Sequence, residues 1–275
     1  MATSIDTMSA HLLLLYHSVS DRSDGDGDLW TVSVNDFKEQ MTALLTGGFT
    51  PLSVSAFVEL RRSGNLPARP VVITVDDGLA DFYDGALPVL ARLGIPATLF
   101  VVADDVGGVA RWLSPGLGVA RRMLTWAQLR VAAHAGIELA SHGLTHAELD
   151  VLSIETARKE ISESKALLED RLDTPVTAFS YPHGYYDGRT RAAVRDAGYE
   201  SACAVGHTLS KRDEDRFRLS RVMVHRGTPP DRFEGWLYGN GLKSSPNPDI
   251  VRAMWRGARR VRARVRKSAA RTEPW

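Results

Sequence analysis

Short runs of apolar, often branched residues recur along the chain. Between them lie segments whose apolar positions return every three or four residues. The runs at residues 12–16, 71–75, 97–102, 137–140, 176–181, 202–205 and 221–224 read as strands, the longer ones buried on both faces. Residues 34–45 have helical spacing and stop at Gly47 and Gly48. Residues 85–93 stop at Gly94, and Pro96 blocks any continuation. The stretches 125–135 and 153–172 open on the capping hydroxyls of Thr125 and Ser153, and 189–197 is ended by Gly198. Buried strands alternating with helices predict parallel βα units. Seven or so units predict an α/β fold of the distorted (β/α)7-type barrel kind.

Composition adds boundaries. A hydrophobic fraction of 44% over 275 residues suits one sizeable core. The single cysteine, Cys203, excludes an intramolecular disulfide and any multi-cysteine metal site. No early apolar run is long enough for a signal-peptide core, and none approaches a membrane span, so the cytoplasm is the expected compartment. Residues 20–30, rich in Asp, Gly and Ser, predict a loop. A Gly/Ser/Asn/Pro stretch at 239–248 predicts a linker between a barrel domain at 1–238 and a tail at 249–275.

The formal net charge of +1 conceals an asymmetry. From Arg252 onward nine Lys/Arg face one acidic residue, Glu273, so the body is acidic and the tail basic. On a helix, Ile250, Met254, Ala258, Val261 and Val265 would share a face with Trp255 at its border. That pattern over residues 250–271 suits peripheral association with an anionic membrane surface. Nucleic acid is not an expected partner, because no binding fold accompanies the charge.

Three segments at strand ends carry candidate chemistry. Ile73-Thr74-Val75-Asp76-Asp77-Gly78 ends an apolar strand in two carboxylates. Adjacent carboxylates repel unless a cation offsets them, although Asp-Gly is also ordinary turn chemistry. Ser141-His142-Gly143-Leu144-Thr145-His146 places two histidines four apart, a spacing that can converge on a metal. With 8 histidines in 275 residues, chance supplies roughly 0.2 such pairs, so the spacing alone is a weak signal. Ser180-Tyr181-Pro182-His183-Gly184 can shape a groove wall and present a backbone N–H inward, or be a plain turn.

Together the segments resemble the polysaccharide deacetylase family of carbohydrate esterases. That family carries Thr-Phe-Asp-Asp-Gly, then His-(Ser/Thr)-x-x-His, then Arg-x-Pro-Tyr-Gly, in this order. The stretch from Leu87-Pro88-Val89-Leu90 to Gly94-Ile95-Pro96-Ala97-Thr98-Leu99-Phe100 also fits, and the resemblance spans residues 11–235. It implies Asp76 as general base, and Asp77, His142 and His146 as ligands of one divalent ion, zinc first, with cobalt or nickel as alternatives. It implies an acetylated glycan as substrate, lined by Tyr181, Pro182, His183 and Gly184. Four departures stand out. Val75 replaces an aromatic, Gly143 the hydroxyl residue between the histidines, Ser180 the arginine that orients the base, and His183 the tyrosine. The late Leu-x-x-His-Asp motif is absent; Val222-Met223-Val224-His225 is its nearest approach. The biofilm poly-N-acetylglucosamine deacetylases resemble this chain more closely, because their motif order is permuted and their acid histidine lies near the N-terminus. Leu14-Leu15-Tyr16-His17 fits that position, with Ser18 where aspartate belongs. A metal amidase acting on a small or non-sugar amide, a silent carbohydrate-binding barrel and a membrane-surface protein are the competing readings.

Overall fold

A computed structural model of the chain describes residues 10–22, 29–113 and 120–242. The basic tail at 249–275, most of the expected linker and the middle of the 20–30 loop lie outside the described residues. In chain order the elements are β1 (Ala10–Tyr16), β2 (Ser18–Val19), β3 (Thr31–Val32), α1 (Val34–Thr46), β4 (Thr50–Leu52) and α2 (Val54–Ser63). Then come β5 (Pro70–Val75), a π-helical turn at Phe82–Ala86 that runs into α3 (Leu87–Leu93), β6 (Ala97–Val101), α4 (Trp126–His134) and β7 (Ile137–Ser141). The remainder is α5 (Ile154–Leu172), β8 (Ala178–Ser180), α6 (Gly188–Asp196), β9 (Ser201–Cys203), β10 (Ser210–Lys211), β11 (Val222–Met223) and α7 (Pro230–Leu237).

The main sheet runs β10-β1-β5-β6-β7-β8-β9, with β11 also on β1 and β4 on β5. Only β10 is antiparallel to its neighbour. The sheet curls until its ends meet through the segment leading into β11. Cys203 of β9 bridges Leu219 in parallel, and three residues on, β11 pairs Val222 with Leu14 of β1. The result is the distorted (β/α)7-type barrel that the alternation of strands and helices predicts.

Period-2 alternation sorts the side chains into two layers. Leu12, Leu14, Tyr16, Val71, Ile73 and Val75 face outward and pack with the apolar stripes of the surrounding helices. Leu13, Val72, Phe100, Ala140, Ala178, Cys203 and Leu219 face inward, where they meet Val54, Phe57 and Val58 of α2. Helix α2 is thus the floor of the barrel. Its first N–H groups have no partner within the helix. The Val54 N–H donates to Thr98 Oγ1 at 2.8 Å and the Ser55 N–H to Glu138 Oε2 at 3.3 Å. The Glu138 carboxylate also suits the positive end of the helix dipole.

The seven strands expected from sequence are present, each end within two residues of its expected place. Helices α2 and α7 and strands β2, β3, β4 and β10 are not among those expectations. The two helices are short, and their apolar positions (54, 57 and 58 in α2; 233, 236 and 237 in α7) make only one repeat of the helical period. Among the described residues no helix is long and apolar enough to cross a membrane.

The floor yields a stability prediction. Phe57 is fully buried, so Phe57→Ala should cost about 3–5 kcal/mol in equilibrium denaturation. A loss below about 1 kcal/mol would mean that α2 does not close the barrel.

Candidate active site

The inward parity that builds the apolar layer continues toward the carboxyl ends of the strands, where it becomes polar. Val72 is followed on the same face by Thr74 and Asp76, Ala140 by His142, Ala178 by Ser180, Leu219 by Arg221 and Met223, and Leu13 by Leu15 and His17. These positions converge under a cavity of about 370 Å³ lined by Asp76, Asp77, His142, His146, His17 and His183. In parallel α/β folds this is the end of the sheet that carries chemistry.

Asp76 is gripped by an arginine that the motifs do not announce. Arg221 is fully buried. Its Nη1 donates to Asp76 Oδ1 at 2.6 Å and to Thr74 Oγ1 at 3.0 Å. Its Nη2 donates to Asp76 Oδ2 at 2.7 Å and to Ser180 Oγ at 2.8 Å, and its Nε to the Ala204 carbonyl at 3.2 Å. The guanidinium also lies over the Phe100 ring, 5.4 Å from its centroid. Burial pushes the Asp76 carboxyl up, but Arg221, and after it His142, outweigh burial and hold it below its ordinary value.

Asp77 faces a different set. Its Oδ1 is 3.5 Å from His142 Nε2 and 3.4 Å from His146 Nε2. That oxygen is buried and makes no hydrogen bond among the described residues. The separations are long for direct hydrogen bonds. They match atoms sharing one ion, since ligands about 2.1 Å from a tetrahedral zinc lie about 3.4 Å apart. One ligand atom from each of Asp77, His142 and His146 lies within 4.8 Å of the others. Burial drives the His142 imidazole down to about 4 despite Asp76, so it is neutral and has a lone pair to give. Its Nδ1 is 2.8 Å from the Ser180 carbonyl, which directs Nε2 at Asp77. The three residues fit a divalent cation.

The backbone is bent to bring them together. Asp77 (φ 78), His146 (φ 61) and His183 (φ 57) are non-glycine residues in the left-handed region. Such conformations cost about 1–3 kcal/mol each and gather at functional sites. Glu160 of α5 clamps the histidine loop, accepting from Thr145 N at 2.9 Å and Thr145 Oγ1 at 2.8 Å. Gly184 must be glycine: its φ is 72, and an added Cβ would lie 2.7 Å from Val205 Cβ.

His17 lies at the mouth of the cavity beside Trp30, with ring centroids 5.4 Å apart. His225 packs on Trp30 at 5.2 Å and does not line the cavity. Ser18 gives His17 no support, because its Oγ donates to Asp81 and accepts from Arg121 and Thr31. His17 Nδ1 is buried without a hydrogen-bond partner among the described residues.

Two expected groove residues are corrected. Tyr181 is fully buried, with its hydroxyl donating to the Phe217 carbonyl at 3.0 Å and its ring stacked on Tyr186. It faces outward because it alternates with inward Ser180. Pro182 is also buried and does not line the cavity. The pair instead sets the turn that delivers His183 and Gly184. Arg221, Glu160 and Trp112 are the site residues that motif reading passes over. Only Arg221 carried a signal, a charge at an inward position of a predicted strand.

Comparison with known proteins gives the family and the fold. The family model for polysaccharide deacetylase matches residues 63–202. YxkH of Bacillus subtilis is 29% identical over 226 residues, 82% of this chain and 75% of its own length. The poly-beta-1,6-N-acetyl-D-glucosamine N-deacetylase of Staphylococcus epidermidis is 26% identical over 246 residues, 81% of this chain and 80% of its own. Among solved structures, the Streptococcus pyogenes deacetylase PplD in complex with acetate superposes with a TM-score of 0.72 at 23% identity, covering 82% of this chain and 96% of its own. IcaB from Ammonifex degensii gives 0.69 at 21% identity, covering 83% and 96%. At these identities the superpositions speak for the fold.

The Asp76–Arg221 pair makes its own prediction. Arg221→Met leaves a buried carboxylate without its cation and should cost about 3–5 kcal/mol. Adding Asp76→Asn should recover part of that loss, a coupling read from the double-mutant cycle. Strict additivity would mean that the pair does not act as a unit.

Proposed function

The chain belongs to the polysaccharide deacetylase family, and from that premise we propose that it is a metal-dependent hydrolase that removes N-acetyl groups from an amino-sugar-containing glycan. The observation that carries the reading is the division of two adjacent carboxylates between two tasks. Asp77 turns to His142 and His146, while Asp76 is held by Arg221 and Ser180.

Asp77, His142 and His146 would hold the ion, zinc before cobalt or nickel. A divalent ion there supplies Lewis acidity, which lowers the pKa of water and polarises a carbonyl. Asp76, ionised and aimed by Arg221, takes a proton from the attacking water. The new C–O bond forms at the acetyl carbon as the carbonyl π bond opens to an oxyanion, and the C–N bond to the sugar breaks when that oxyanion collapses. A backbone N–H at His183 faces the developing oxyanion. His17, on the opposite rim, gives its proton to the departing nitrogen, so acetate and a free amine leave. His17 is preferred to His225 because it lines the cavity, whereas Trp30 stands between His225 and that space. The S. epidermidis relative's named substrate makes β-1,6-linked N-acetylglucosamine oligomers the first to assay.

The assignments separate experimentally. With zinc-loaded protein and acetylated oligomers, released acetate reports turnover and metal analysis reports occupancy. Asp76→Asn should keep the metal and lose about 10²–10⁴-fold in turnover. His142→Ala and His146→Ala should lose both. Full metal occupancy in either histidine variant would remove the metal assignment. His17→Ala should be severe and His225→Ala mild; the reverse order would transfer the acid role. Turnover of simple amides with none on acetylated sugars would favour the amidase reading.

A further inference from the structure

The two histidines of the metal triad are held in different ways. His142 Nδ1 has the Ser180 carbonyl at 2.8 Å, the kind of outer partner that fixes a metal-binding imidazole. His146 Nδ1 is buried and has no hydrogen-bond partner among the described residues. Among the described residues the polar contact on that ring is at Nε2, 3.4 Å from Asp77 Oδ1, and no hydrogen bond at Nδ1 fixes its far side. What the ring has is an indole. Trp112 stacks on it with centroids 4.5 Å apart and planes 24° from parallel, and His183 abuts it edge-on at 4.4 Å.

Trp112 is itself anchored to the histidine loop. The strap that carries it, residues 103–113, starts with two hydrogen bonds to that loop: Ala103 N to the Gly143 carbonyl at 3.1 Å and Asp104 N to the Leu144 carbonyl at 3.0 Å. At its far end Arg111 pairs with both Asp104 and Asp105, and Ala110 N donates to the Arg121 carbonyl at 2.9 Å. Trp112 packs against a separate apolar cluster of Leu79, Val102, Ala110 and Met123. The indole therefore has a fixed position relative to the loop whose histidine it covers.

We propose that Trp112 is a positioning residue for the metal centre, its indole face fixing the His146 ring in place of the absent hydrogen bond. The inference rests on the reading of Asp77, His142 and His146 as that centre. A flat, electron-rich face suits the task, because a bound cation draws density from the imidazole and the indole face answers the charge.

The test uses the full chain. Zinc affinity is measured by competition with a chromophoric chelator, and the ligand field by the visible spectrum of the cobalt-loaded protein. Trp112→Ala should weaken zinc by about 10–100-fold, the usual effect of losing an outer partner, and should alter the cobalt bands. Trp112→Phe should remain close to wild type, while Trp112→Leu, which fills space without a π face, should resemble Trp112→Ala. Leu113→Ala, next along the strap, should leave zinc affinity unchanged. Equal affinities for the Phe and Leu variants would overturn the proposal even if Trp112→Ala fails to fold. So would a loss in Leu113→Ala as large as in Trp112→Ala, which would signal collapse of the strap. A wild-type chain that binds no zinc overturns the metal centre along with the inference. A wild-type chain that binds zinc, with Trp112→Ala its equal, overturns the inference alone.

Discussion

The Arg221–Asp76 pair is the constraint on which the rest of the site depends. Two charges removed from water cost several kcal/mol each unless geometry and further hydrogen bonds compensate. Here the compensation is complete on the cation: all five guanidinium N–H groups are spent, two on Asp76 and one each on Thr74, Ser180 and Ala204. Those acceptors belong to β5, β8 and the end of β9. Arg221 belongs to the segment that closes the barrel onto β1. Closing the sheet and orienting the carboxylate are therefore one interaction, and the pair is satisfied only when the strands stand in their native register.

Fixing Asp76 in this way frees Asp77 for a different role. Inward parity ends at Asp76, and a left-handed turn at Asp77 followed by Gly78 swings the second carboxylate across to the histidines. His146 and His183 adopt the same unfavourable region from two other loops. Each bend is held by neighbours: Glu160 grips Thr145 beside His146, and the close approach of Gly184 to Val205 fixes the turn at His183. The strained residues cluster at the cavity because the scaffold around them is rigid. Asp77 Oδ1 at their centre, without a hydrogen-bond partner among the described residues, is an oxygen that a bound cation would satisfy.

Much of this was legible in the sequence, for a physical reason. Strands buried on both faces appear as continuous apolar runs, and the polar residues that interrupt their carboxyl ends mark the rim of the cavity. Asp76, Asp77, His142 and His146 could be read that way. Motifs alone do not give inward or outward direction: they point Tyr181 to the groove, whereas alternation with Ser180 turns it outward. Helices α2 and α7 are held by packing at the barrel floor and flank, and their short apolar stripes do not declare that. Motifs do not reveal Arg221, because its partner is 145 positions away and because the family resemblance points for an orienting arginine to the third motif, where Ser180 stands.

That displacement of the arginine has a steric logic. Beneath Asp76 lies one guanidinium, that of Arg221, over Phe100. A guanidinium can enter there from the strand of the third motif or from the closing segment, since both present an inward residue at that level. When Arg221 supplies it, the facing position must be small and must still hydrogen-bond. Serine does both, accepting from Arg221 Nη2 and donating to Asp76 Oδ2 at 3.1 Å. Alanine would fit but would leave one guanidinium N–H buried without an acceptor, a cost of about 1–3 kcal/mol or more. A second arginine would put two cations on one carboxylate in a space closed to water. Ser180 and Arg221 therefore act as one unit built from β8 and the closing segment.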